Sequence, residues 1–96
     1  MSGFNVYPTE VEEVLSRHPG ILEVAVVGMA DAQSGEAPVA CVVRKDPALT
    51  QGDVIAFSRE SLTGYKAPRR VIFVEELPKT PVGKVLRRQL RDQLTL

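Results

Sequence analysis

The residue best placed to do chemistry is Lys84. It follows Gly83 at the end of a Pro/Gly loop over residues 77–83 (LPKTPVG) and precedes a helix predicted over residues 85–94. The start of a helix carries partial positive charge, so an ammonium gains nothing locally there. An anion arriving from elsewhere explains it better, with helix amides helping to hold that anion and Gly83 letting the backbone come close to it. The pattern is not a Walker phosphate loop, because the first glycine of that motif is absent and Val85 stands where Ser or Thr would hold magnesium. The alternative for Lys84 is an ordinary solvated lysine.

The other reactive residue types read as structural. Cys41 lies mid-strand among valines and alanine, as a small buried apolar residue does. His18, the only histidine, ends a predicted helix, where a partly charged imidazole suits the negative end. Glu10, Glu12 and Glu13 fit a helix start better than an acid–base pair. Tyr65 reads as a packing residue with its hydroxyl at the surface. No metal site is expected, since a single cysteine excludes both an internal disulfide and a Cys-built zinc site.

These groups sit in a chain of 96 residues, enough for one modest core. Apolar residues are 44% and charged residues 25%, the balance of a soluble globular chain. Net charge is zero, so no bulk attraction to nucleic acid is expected. Three Phe and two Tyr offer few stacking surfaces for RNA. No apolar run reaches the length of a membrane span, and no secretory signal is visible. The default compartment is the cytoplasm. The zero hides a polarity: up to Gly64 nine acids face four bases, and from Tyr65 onward eight bases face three acids. An anionic ligand belongs in the last third.

The elements that must position these groups read as α-β-β-α-β-α. Val11, Val14, Leu15 and His18 share one face of a helix that Pro8 can open and that His18-Pro19-Gly20 stops. Residues 21–29 are a strand. Residues 38–44 (PVACVVR) are a second, nearly all apolar and so covered on both faces. Their short connection makes them antiparallel neighbours. Thr50-Gln51-Gly52-Asp53 resembles a capping box for a helix that Gly64 ends. Residues 71–74 (VIFV) are a third strand. In the last helix Leu86, Leu90 and Leu94 line one side, and Arg87, Arg88 and Arg91 stand on the other. The expected fold class is α+β, a small mixed three-stranded sheet packed with three helices.

Two longer motifs give the chain a family resemblance. Residues 77–88 (LPKTPVGKVLRR) resemble the last core motif of the adenylate-forming superfamily of acyl-CoA synthetases, adenylation domains and luciferases. Residues 2–8 (SGFNVYP) with Glu10-Val11-Glu12 resemble the family's earlier motif just past the interdomain hinge. His18-Pro19, residues 24–28 (VAVVG), Ser34-Gly35-Glu36 and residues 62–68 (LTGYKAP) stand between them in the family's order. The resemblance covers essentially the whole chain, and the wording is most similar to bacterial long-chain fatty acid CoA ligases.

The resemblance implies a lid domain spanning residues 1–96. In the family a large N-terminal domain binds ATP, magnesium and the acid, and the small domain closes over it. The lysine matching Lys84 then meets the carboxylate and the α-phosphate. A second lid orientation serves thioester formation, with the segment matching Gly3, Phe4 and Asn5 facing the pantetheine channel. Lys66, Arg69 and Arg70 would meet the CoA phosphates, and Gly83 belongs with Lys84 at the adenylate. ATP, CoA and a fatty acid are substrates of the intact enzyme, and no cofactor is expected on this chain alone. The hinge residue, the N-terminal domain and its phosphate loop do not occur here, so Met1 reads as a start in front of an excised domain and the isolated chain is expected to be inactive. The implied partners are that N-terminal domain and a lysine acetyltransferase, since the matching lysine is acetylated in some bacterial members. Peripheral contact of the parent with the inner membrane is compatible with this. The rival reading is a free-standing anion-binding or regulatory module that uses the basic last third.

Overall fold

A computed structural model describes residues 8–31, 35–62 and 66–94. The elements run α1 (Pro8–Leu15), β1 (Ile21–Asp31), β2 (Gly35–Arg44), α2 (Gln51–Arg59), β3 (Arg70–Phe73) and α3 (Arg87–Leu94). The expected order of three helices and three strands holds. The expectations for Gly3, Phe4, Asn5, Gly64 and Tyr65 fall outside the described residues.

The sheet is mixed, in the order β1-β2-β3. β1 and β2 pair antiparallel from Ile21↔Arg44 to Asp31↔Gly35, so the hairpin arms run longer than the apolar runs alone suggest. β2 and β3 pair parallel from Val39↔Arg70 to Val42↔Phe73. Parallel neighbours need a crossover, which α2 supplies. β2 is therefore the central strand, and it is buried without interruption from Ala37 to Val43. Alternation along it sorts the core. Ala40 and Val42 join Val26, Val71 and the apolar faces of α1 and α2. Val39, Cys41 and Val43 join Ala25, Val27, Leu77 and Leu90 of α3 on the other face.

Local chemistry sets the ends of α2. The Thr50 hydroxyl accepts from the Asp53 N–H at 3.1 Å, and the Asp53 carboxylate accepts from the Thr50 N–H at 3.1 Å, a complete capping box. The N–H of Thr50, then its hydroxyl, hold the Asp53 carboxyl below the ordinary carboxylate range. Thr50→Ala should cost about 0.5–2 kcal/mol, read from the urea midpoint. The Asp53 contribution is present above the unfolded-state carboxyl pKa. It fades as pH falls through the lower folded value, so the gap between wild type and variant should narrow in acid.

Three helix ends differ from the reading of the sequence. α2 stops at Arg59, where the Glu60 N–H caps it onto the Phe57 and Ser58 carbonyls, and so ends before Gly64. α1 stops at Leu15 and passes through a turn, with the His18 N–H on the Leu15 carbonyl. The His18 Nδ1 accepts the Gly20 N–H at 2.9 Å, and the ring lies edge-on to Phe57. The imidazole thus serves the turn as a hydrogen-bond acceptor rather than closing the helix end. α3 starts at Arg87, two residues later than expected. Val85 is drawn into a bridge with Lys79, and the Leu86 N–H goes to the Pro78 carbonyl. Leu86 consequently leaves the apolar side of the helix and is 36% exposed.

Candidate functional site

Lys84 sits on a tight hairpin, three residues ahead of α3 rather than at its N-terminus. The start of the helix is therefore displaced from Lys84 by a short bridge segment. The Thr80 N–H donates to the Lys84 carbonyl at 2.8 Å, and the Lys84 N–H donates to the Thr80 hydroxyl at 3.1 Å. The Gly83 N–H closes a turn onto the Thr80 carbonyl at 2.9 Å. Pro81 suits its second position, and Gly83 takes φ +87°.

A Cβ on Gly83 would meet nothing within 4 Å among the described residues, so what a side chain would disturb there is the positive-φ backbone. Gly83→Ala should therefore cost about 1–2 kcal/mol through strain alone. A lowered urea midpoint with an unchanged slope would show it.

The hairpin is anchored below and open above. Leu77 is buried and Val85 packs against the same core cluster, while Val82 at the tip is 90% exposed. Lys84 is exposed, and among the described residues its ammonium has no acidic partner. Two neighbouring cations are committed. Lys79 pairs with Glu23 of β1, and Arg87 pairs with Glu12 of α1. A fixed backbone thus presents a free point charge to whatever approaches the open side.

The basic residues of the last third do not all converge. Arg69 and Arg70 line a groove of about 440 Å³ whose floor is Met29, Ala30, Ala37 and Val39. Arg91 of α3 joins them, a convergence that sequence spacing could not reveal. Lys66 instead pairs with Glu10 of α1 at 3.1 Å. Cys41 is fully buried, as expected. Burial pushes its thiol up to about 11, with the Arg70 charge opposing, so it stays protonated and inert near neutral pH. Among the described residues no cluster of His, Cys, Asp and Glu could hold a metal ion. No described helix is long and apolar enough to cross a membrane.

Known proteins are similar to this chain in sequence and in geometry. Residues 10–84 match the family model for the AMP-binding enzyme C-terminal domain. The long-chain-fatty-acid–CoA ligase of Escherichia coli O6:H1 is 56% identical over 93 residues, which are 97% of this chain and 17% of that protein. The ligase of the same description from Salmonella typhimurium is 58% identical over the same shares. Among solved structures, a Mycobacterium tuberculosis fatty acyl CoA synthetase superposes with a TM-score of 0.90 at 40% identity, over 96% of this chain and 18% of that one. ATP-bound MatB from Rhodopseudomonas palustris gives 0.88 at 39%, over the same shares. The chain spans about a sixth of the length of the curated relatives it matches. It belongs to the family of AMP-binding enzyme C-terminal domains.

Proposed function

We propose that this chain is the mobile C-terminal domain of a long-chain fatty acid CoA ligase and that Lys84 is its adenylation lysine. The observation that carries this is the exposed ammonium of Lys84, unpaired among the described residues, on a hydrogen-bonded hairpin. In the first step a fatty acid carboxylate oxygen attacks the α-phosphorus of ATP and pyrophosphate leaves, giving an acyl-adenylate. Both reactants are anions, and charge spreads over the oxygens of the transferring group. A cation held at that point offsets the repulsion and orients the carboxylate. In the second step the CoA thiol attacks the acyl carbonyl and AMP leaves.

The remaining assignments support the same reaction. The groove shared by Arg69, Arg70 and Arg91 suits the CoA phosphates, with guanidinium forks for the anions. Lys66, tied to Glu10, would serve there only after releasing it. Gly83 holds the turn that presents Lys84. Gly3, Phe4 and Asn5 belong to the pantetheine channel on family resemblance alone. Magnesium and the acyl pocket lie in the rest of the ligase, and the chain by itself does not catalyse. Acetylation of the exposed Lys84 would remove the charge and silence the first step.

A graft tests the proposal. This chain replaces the matching C-terminal stretch of the Escherichia coli relative. The chimera should form acyl-CoA from ATP, fatty acid and CoA. The truncated remainder and this chain alone should not. A folded chimera no more active than the truncated remainder would overturn the proposal.

A further inference from the structure

We infer that Glu12 and Arg87 are positioning residues that aim the Lys84 hairpin. The inference rests on the reading of Lys84 as the adenylation lysine. One carboxylate joins three elements here. Glu12 Oε2 accepts the Arg87 Nε–H at 3.0 Å and the Val26 N–H at 2.7 Å, while Oε1 accepts from Arg87 Nη2 at 2.5 Å. β1 is an edge strand, so the Val26 N–H would otherwise face outward without a strand partner. Glu12 is only 18% exposed, and Arg87 is the first residue of α3, three positions after Lys84.

The direction of the hairpin depends on this clamp more than the docking of α3 does. Leu90 is fully buried and Leu94 packs beside it, so the helix has its own apolar anchor. The hairpin itself has Leu77 and Val85 at its base and, among the described residues, an uncovered tip at Val82. A half-buried ion pair is a weak source of net stability, but a bidentate pair fixes orientation as well as distance. On the other arm, Lys79 pairs with Glu23 of β1. The two pairs bracket Lys84, five residues before it and three after. Misplacement by about 1 Å can cost on the order of 100-fold in rate, so a clamp on direction has a large lever on the chemistry.

The discriminating variant is Glu12→Gln. It keeps an oxygen for the Val26 N–H and removes the charge that holds Arg87. In the chimeric ligase it should slow adenylate formation about tenfold or more. KM for ATP and fatty acid, and thioester formation from supplied acyl-adenylate, should stay within about twofold. Arg87→Lys should lose as much, because a point charge does not replace the fork. In the 96-residue chain, hydrogen exchange of the Thr80 and Leu86 amides should quicken while amides of α2 keep their protection. Unchanged hairpin exchange, or equal loss in both half-reactions, would overturn the inference. If Lys84→Ala left adenylation intact, the reading of Lys84 would fail instead, and hairpin exchange alone would decide the clamp.

Discussion

Lys84→Ala in the chimeric ligase should slow adenylate formation by about 100- to 1000-fold, the loss typical when one preorganised charge donor is removed from a developing anion. Under the proposed two-orientation account, thioester formation from supplied acyl-adenylate should fall far less, because the second orientation would not use this lysine. ATP–pyrophosphate exchange reads the first step, and release of AMP from supplied acyl-adenylate in the presence of CoA reads the second. The size of the effect follows from where the charge sits. An exposed ammonium in water interacts weakly with anything beyond a Debye length. The same ammonium closed against two anions, with water excluded, acts in a medium where each interaction is several times stronger. No internal carboxylate among the described residues competes for it, so it reaches the substrates without breaking a native ion pair.

The same freedom predicts that Lys84→Ala leaves the stability of this chain within about 0.5 kcal/mol of wild type. Activity and stability therefore separate at this position. Lys84→Arg should also adenylate poorly, since a planar fork is not a compact point charge. Equal losses in both half-reactions would contradict the two-orientation account.

What could be read from the sequence was what is local. The Thr50/Asp53 capping box needs only residues three apart, and both of its hydrogen bonds are present. The nearly all-apolar run at residues 38–44 marks a strand covered on both faces, and residues 37–43 are indeed buried without interruption. What escaped was pairing across distance. Glu12 and Arg87 are 75 positions apart, so Glu12 looked like a helix-start carboxylate when it is in fact shared by an edge strand and α3. Glu10 and Lys66 are 56 positions apart, so Lys66 looked free for an anion. Leu86 looked helical by its spacing to Leu90 and Leu94, which drew the helix start back to Val85, but the bridge from Val85 to Lys79 needs the hairpin to exist first. Arg91 joins Arg69 and Arg70 only after α3 lies on the sheet. The type of residue at the site was legible, whereas the company it keeps is a product of the fold.

Leu90→Ala should be the most damaging change to the domain itself. α3 reads RRQLRDQL, and Leu90, 2% exposed, is its only buried residue. A helix this short is not stable by propensity and stands on its packing. Truncating the one side chain that seats it removes transfer energy and leaves a cavity, a loss of about 2–5 kcal/mol. A domain of this size has only about 5–15 kcal/mol in all, and each kcal/mol moves the melting temperature by roughly 4–8 °C. The variant should therefore melt at least about 10 °C lower. Its urea midpoint should fall with an unchanged slope if the rest of the fold is kept. Leu22→Ala, at a position 62% exposed, is the matched control and should stay within about 0.5 kcal/mol. The consequence reaches the site, because α3 begins with Arg87 and Arg87 reaches Glu12 only from a docked helix. Below its melting point the Leu90→Ala chain should therefore show faster exchange at Thr80 and Leu86 together with the α3 amides. Glu12→Gln, by contrast, should loosen the hairpin and leave the rest of α3 protected. A Leu90→Ala chain as stable as wild type would mean that the ion pair, and not the leucine, seats the helix.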